Sequence, residues 1–167
     1  MKFTVTETVN APRSEVLDAL IDADYYDSLG DGISNLEKPE FLDLSTDGTT
    51  SSIRVRYAFA GNISGPARMA VDPTKLTWVI HTDLDLRTHS ATFEVIPDHY
   101  DGMLSCAGTL TLDEAGATTV ETFSGSLDVH LPLISSTAER AILDGFTRHL
   151  ETEATALAAY CARSREG

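Results

Sequence analysis

The sequence predicts an α+β fold in which a curved, seven-stranded antiparallel sheet wraps one long C-terminal helix. Three observations predict it. Apolar and polar residues alternate with period two from residue 2 to about residue 131, broken by turn residues. Pro12 and the spacing after it place two short helices behind the first strand. Beyond Pro132 the period becomes that of a helix and holds for about eight turns.

The first strand spans residues 2–10. Phe3, Val5, Glu7 and Val9 share one face, and Thr4, Thr6 and Thr8 the other. Glu7 is the one charge on the apolar face. Pro12 suits a first helical position, because it has no N–H to lose there. Val16, Leu17, Leu20 and Ile21 follow at helical spacing and predict a helix over 12–22. Asp24–Leu29 reads as a second short helix, stopped by Gly30 and Gly32.

The strands then follow in order. Ile33–Leu44 is an irregular edge strand interrupted by Pro39. Asp47-Gly48 marks a hairpin. Ile53, Val55, Tyr57 and Phe59 alternate with Arg54 and Arg56. Ala67, Met69 and Val71 predict a short strand closed by Asp72-Pro73. Leu76, Trp78, Ile80, Thr82, Leu84 and Leu86 share a face of a long one, with His81, Asp83 and Asp85 opposite. Ala91, Phe93 and Val95 mark the next. Leu104, Cys106, Gly108, Leu110 and Leu112 mark another, and Phe123, Leu127, Val129 and Leu131 the last.

Ser136-Thr137-Ala138-Glu139 has the form of a capping box. A helix from there to about Arg163 would be about 40 Å long. Ile142, Leu143, Phe146, Leu150, Leu157, Tyr160 and Cys161 form its apolar stripe. Residues 1–163 are expected to be one domain, and residues 164–167 a frayed end. Only this helix is long enough to cover the apolar face of the sheet. A twisted sheet around a straight helix closes imperfectly, with bends available at Pro39, Gly61, Gly65 and Gly108. A ligand cavity is expected in the gap.

Composition narrows the function classes. The chain has 167 residues, 26 acidic and 12 basic, for a net charge of −14. Phosphate backbones and anionic membrane surfaces would be repelled on average, so nucleic acid is not an expected partner. No apolar window is long enough to span a bilayer, so no membrane insertion is expected. The N-terminus alternates and lacks the apolar block of a signal peptide. Cys106 and Cys161 both read as small core residues rather than a disulfide. Together these features predict a cytoplasmic protein.

Candidate ligand-binding residues come from the predicted inner face. Tyr57, Phe59, Met69, Trp78 and Phe93 lie on it, and Phe123 and helical Phe146 join them. Such side chains bind an apolar or aromatic molecule by burial, while the Tyr57 hydroxyl and Trp78 indole orient it. The simpler reading is that they fill the core. Gly145, inside the long helix, leaves room for a cavity or for close packing. His149 and Glu153, four apart, are a polar anchor or acid–base pair if buried; the simpler reading is a solvated boundary pair. Glu7, if buried, needs a partner such as Arg54 or Arg68. His81, Asp83 and Asp85 are about 6.6 Å apart along a strand, which reads as a solvated outer face and not a metal site. No phosphate loop, zinc-spaced cysteine pair or nucleophile elbow occurs, so no catalytic residue, metal or cofactor is assigned.

The opening Phe3–Val9 strand, then Asn10-Ala11-Pro12 and the helix Glu15–Leu20, resembles the start of START-like proteins. That superfamily includes the pollen-allergen and polyketide-cyclase families. The element order matches over nearly the whole chain, and its detail resembles a small bacterial branch of undefined function. The resemblance implies a helix-grip fold with an internal apolar cavity. It carries no shared catalytic residue. The leading expectation is non-enzymatic binding of an apolar or lipid-like small molecule, with Tyr57, Glu7 and His149 as polar contacts. The alternatives are a cyclase- or aromatase-like enzyme with one buried acid–base residue, and a protein-interaction module. Oligomeric state is not addressed by the sequence.

Overall fold

A computed structural model of the chain describes residues 1–30, 35–63 and 65–167. Strand β1 (Lys2–Val9) is followed by helices α1 (Arg13–Leu20) and α2 (Ala23–Ser28). Six strands come next: β2 (Glu40–Asp47), β3 (Thr50–Ala58), β4 (Thr77–Asp85), β5 (Ser90–Pro97), β6 (Leu104–Ala115) and β7 (Thr118–Val129). A one-turn helix α3 (Ala67–Ala70) and a 3-10 turn (Pro73–Lys75) connect β3 to β4, and α4 (Ser135–Glu166) ends the chain.

The seven strands form one antiparallel sheet in the order β1-β7-β6-β5-β4-β3-β2. Only the β1–β7 pair is distant in sequence; the rest are consecutive neighbours, as short connections require. Period two then sorts the faces. Val5, Val9, Val55, Leu84, Leu110 and Leu127 are buried on the concave side, while Thr4, Thr6, Thr92 and Glu94 are exposed on the other. Fully burying a side chain of the size of Leu84 or Leu127 stabilises by about 1.5–3 kcal/mol.

Pro12 is the N-cap of α1, extended at φ −62° and ψ 146°, one position earlier than expected. Helix α1 buries Val16, Leu17 and Ala19 against α4 and the β6–β7 end. Helix α2 is capped by Asp22, whose side chain accepts from Asp24 N at 3.0 Å, and buries Tyr25 and Tyr26. Gly30, at φ +62°, ends that helix as expected; Gly32 lies outside the described residues. Glycines 108 and 125 are paired across β6–β7. A Cβ on Gly108 would stand 2.2 Å from Ser124 O, so only glycine permits this approach.

Four expectations are corrected. Residues 67–70 are a helix, not a strand, so Met69 is not on the concave face; it is 93% exposed. The span is too short, between Gly65 at φ +67° and Asp72-Pro73, to reach a strand partner. The strand expected from Ile33 begins only at Glu40, because Pro39 has no N–H for the ladder; Leu36 makes an isolated bridge to Phe59, and residues 33–34 lie outside the described residues. The capping box does not form. Helix α4 starts at Ser135, which bonds back to Leu131 N and O at 3.0 and 2.8 Å, and Glu139 Oε1 instead accepts from Val129 N at 3.1 Å. The end expected to fray is helical through Glu166, where Arg165 Nε lies 2.8 Å from Glu15 Oε2.

Candidate functional site

Helix α4 packs chiefly on β1, β7 and α1. The concave faces of β4, β5 and β6 are therefore covered less completely. Trp78, Ile80, Val95, Leu104 and Cys106 sit there and are only half-buried, although each is apolar and points inward. Phe123 and Phe146 close one side, with ring centroids 5.9 Å apart at 86°. Phe93 meets Phe123 at 6.2 Å, and Phe3 meets Phe146 at 5.7 Å. Tyr57 stacks on Trp78 at 6.3 Å and meets the His149 ring edge-on at 5.8 Å.

At the α4 end of this aromatic wall lies a polar centre. His149 Nε2 is 3.1 Å from Glu153 Oε2. The Tyr25 hydroxyl donates to Glu153 Oε1 at 3.3 Å. Glu7 and Glu121 enter from the sheet, as register partners on β1 and β7. His149 is 8% exposed and Glu121 5%. On α4, His149 is thus buried and its partner Glu153 half-buried, with a side chain 19% exposed, which is not the solvated boundary pair of the simpler reading. The reason is α2: Tyr25 and Tyr26 cover the turn of α4 that carries Glu153.

The electrostatics follow from that burial. Burial alone would lower the His149 imidazolium, but the hydrogen bond and charge of Glu153 outweigh it and hold its pKa above the ordinary value. Burial alone would raise Glu153; bonds from His149 and Tyr25, with the imidazolium charge, hold it below. The two shifts agree on an ion pair. Glu121 goes the other way. Burial, then the nearby Glu153 and Glu7, push its carboxyl up to about 8, so it carries its proton at neutral pH. Burial also raises Tyr25 and Tyr57 well above the usual phenol range, with Glu153 adding to it.

Two polar groups in this centre lack partners. His149 Nδ1 is buried with no hydrogen-bond partner among the described residues. Glu121 likewise accepts and donates no hydrogen bond among them. Unpaired buried polar groups are rare enough in proteins to need a reason. No cluster of three metal-ligating side chains occurs among the described residues.

Of the residues expected from sequence, Tyr57, Trp78, Phe93, Phe123, Phe146, Glu7 and His149 converge on this concave side. Phe59 lies past the end of β3, against the loop at Asn35 and Gly61. Met69 instead borders a surface concavity of about 460 Å³ with Arg68, Pro73 and Tyr100. The arginines expected near Glu7 lie elsewhere: Arg54 pairs with Asp43 at 2.9 Å on the outer face, and Arg68 is on α3. His81 meets Asp83 at 3.3 Å on that outer face, as expected of a solvated row. A Cβ on Gly145 would meet nothing within 4 Å, which excludes close packing as its role. Gly145 instead opens a concavity of about 320 Å³ between Asn35 and the α4 residues Arg148, Glu151 and Thr152. It lies one helical turn from His149.

Glu121 and Tyr25 are the site residues that sequence reasoning passed over. Glu121 stands two positions before Phe123, so extending the period-two face of β7 would have found it.

One sheet of seven antiparallel strands closed on a single long helix, with two short helices after the first strand, is the helix-grip fold of the START-like proteins. The chain belongs to the family described as protein of unknown function DUF2505, whose sequence pattern matches residues 4–161. It is similar in structure to TTHA0849 from Thermus thermophilus, at a TM-score of 0.67 and 13% identity over 98% of this chain and 99% of that one. The Zhui aromatase/cyclase from Streptomyces sp. R1128 gives a TM-score of 0.67 and 18% identity over 99% and 95%. Ara h 8.0201 gives 0.59 and 11% over 98% of each chain. At these identities the likeness is one of fold. No curated protein matches the sequence. No helix among the described residues is long and apolar enough to cross a membrane.

Proposed function

We propose that the chain binds an apolar or aromatic small molecule between the concave sheet and α4, with His149 and Glu121 as polar contacts. The observation that carries this reading is the buried, unpartnered His149 Nδ1, with the buried Glu121, beside half-buried apolar side chains on β4–β6. Covering Trp78, Ile80, Val95 and Cys106 would supply apolar burial at about 25 cal/mol per Å². A polar atom on the guest would satisfy groups that otherwise remain unpaired. The fold is one in which a solved relative is an aromatase/cyclase, which supports a small-molecule guest by analogy of fold alone.

Native mass spectrometry of the protein purified from its own cells tests this. A discrete mass adduct that extraction identifies as an apolar compound is the expected result. Protein that carries no adduct and takes up no apolar probe would end the reading.

One observation favours a second reading, acid–base chemistry of the cyclase or aromatase kind. Glu121 and Glu153 share one interior yet have carboxyls displaced in opposite directions. A neutral acid beside an ionised carboxylate is how environments divide the two roles. Exchange of the methyl protons of 2-acetylnaphthalene in D2O, followed by NMR, checks it. Faster exchange with wild type than with Glu121→Gln supports chemistry; exchange at the buffer rate leaves binding alone.

A further inference from the structure

Three carboxyl side chains point into the polar centre from three elements: Glu7 from β1, Glu121 from β7 and Glu153 from α4. One basic group, His149, is paired with them, through Glu153 at 3.1 Å. The other titratable side chains around them are Tyr25 and Tyr26 of α2 and Tyr57 of β3. Among the described residues no Lys or Arg contributes to the electrostatics of Glu121 or Glu153; the charges of Glu153 and Glu7 act on Glu121, and that of His149 on Glu153. Of the arginines on the flanking elements, Arg13 pairs with Glu114 at 3.4 Å and Arg165 with Glu15 at 2.8 Å. The centre is therefore short of positive charge.

In the unliganded protein, protons fill that deficit. Glu121 keeps one, and His149 takes a second beside Glu153. Glu121 is 5% exposed and the His149 side chain 11%; His149 Nδ1 is a buried atom with no hydrogen-bond partner among the described residues, and the Glu121 carboxyl makes no hydrogen bond among them. An acceptor is what each becomes on losing its proton. Glu121 becomes a carboxylate, and His149, still donating from Nε2 to Glu153, offers the Nδ1 lone pair.

We propose that this centre receives the ammonium group of an apolar amine, with Glu121 and His149 Nδ1 as its acceptors. The proposal rests on the binding reading above and specifies the head group of the guest. The surroundings suit an organic cation. Tyr57 and Trp78 present stacked rings, and Tyr25 a further ring, and cations are attracted to aromatic faces. A bare metal ion fits poorly, because no three metal-ligating side chains among the described residues come together. The proton balance is explicit. The amine arrives as R–NH3⁺ and keeps its three protons; Glu121 releases its carboxyl proton to solvent, and the His149 imidazolium releases the Nδ1 proton. Up to two protons leave per amine bound, and affinity rises with pH until both groups have titrated or the amine itself loses charge.

The experiment compares three probes of one shape: 2-(aminomethyl)naphthalene, 2-(hydroxymethyl)naphthalene and 2-naphthoate. Each is titrated calorimetrically at pH 7 in phosphate and in Tris, whose different ionisation enthalpies count the protons released. The amine is expected to bind at least tenfold more tightly than the alcohol and the naphthoate more weakly than the alcohol. The amine is also expected to release at least half a proton. Glu121→Gln, which matches the shape of the protonated side chain, is expected to bring the amine-to-alcohol ratio below threefold. An alcohol that binds as tightly as the amine overturns the proposal and leaves the binding reading intact. So does an amine preference that survives Glu121→Gln, or binding with no proton release. If none of the three binds, the binding reading falls and the proposal with it.

Discussion

Glu7 and Glu121 are direct register partners across the β1–β7 ladder, and both lie on its concave face. Like charges placed opposite one another across a sheet destabilise it, and here burial enlarges the cost. The fold accommodates the pair because Glu121 keeps its proton, its carboxyl being pushed up to about 8 by burial and by Glu153 and Glu7.

A pH dependence follows. The folded-state pKa of Glu121 is raised above the ordinary 4.5. The stabilisation linked to its proton is thus complete below about 4.5 and is lost as pH rises through about 8. The loss amounts to a few kcal/mol, at about 1.4 kcal/mol per unit of pKa. Urea unfolding at pH 5, 7 and 9 measures it. Wild type should weaken across that range, and Glu121→Gln should flatten the curve and exceed wild type at pH 9.

The His149–Glu153 pair has a different window. Glu153, held below its ordinary 4.5, contributes above that pH and loses its contribution as pH falls. His149, held above its ordinary 6.5, contributes fully below that pH and loses its contribution as pH rises through its folded value. The pair is therefore worth most between about 4.5 and 6.5. His149→Ala leaves the half-buried Glu153 without its cationic partner, holding only the Tyr25 hydroxyl, and should cost about 3 kcal/mol. Urea melts of His149→Ala and of His149→Phe/Glu153→Leu separate the cost of an orphaned charge from the worth of the pair. The double variant should regain at least half of the loss.

Two glycines should respond in opposite ways. Gly145→Ala meets open space and should stabilise α4 by about 1 kcal/mol, visible as a higher melting temperature. Gly108→Ala would drive its Cβ to 2.2 Å from Ser124 O and 2.9 Å from the Phe93 ring, and should destabilise by more than about 2 kcal/mol, on the order of a severe overpacking defect.

The architecture could be read from the sequence where a period was long and unbroken. Strand β4, with Trp78, Ile80 and Leu84 on one face, and helix α4, with Leu150 and Leu157, declared themselves in this way. Met69 misled because three alternating residues are too few to separate a strand from one helical turn. The supposed capping box misled because Ser135 satisfies the turn before it while Glu139 reaches the backbone of β7. The site was half visible. Glu7 and His149 stood out as polar residues on apolar faces. Their burial did not, because it depends on α2, whose Tyr25 lies 128 residues from Glu153 in sequence. Charge balance at Glu121 is set by neighbours on other elements, which no local pattern encodes.

Cys106 reports on the concave face. Burial pushes its thiol up to about 11, so little thiolate exists at neutral pH. Iodoacetamide should alkylate it at least tenfold more slowly than free cysteine, and a saturating guest should slow it further. Peptide mass spectrometry separates Cys106 from Cys161.

The most direct measurement is a titration of the protein with the neutral fluorophore Nile red, in wild type and in Val95→Trp. Val95 faces inward between Ile80 and Cys106, so a tryptophan there occupies the space assigned to the guest. Saturable uptake near one dye per chain in wild type, lost in a Val95→Trp protein that keeps its circular dichroism, is the predicted result. No saturable uptake by wild type, or uptake unchanged in the variant, would contradict a guest site between the sheet and α4.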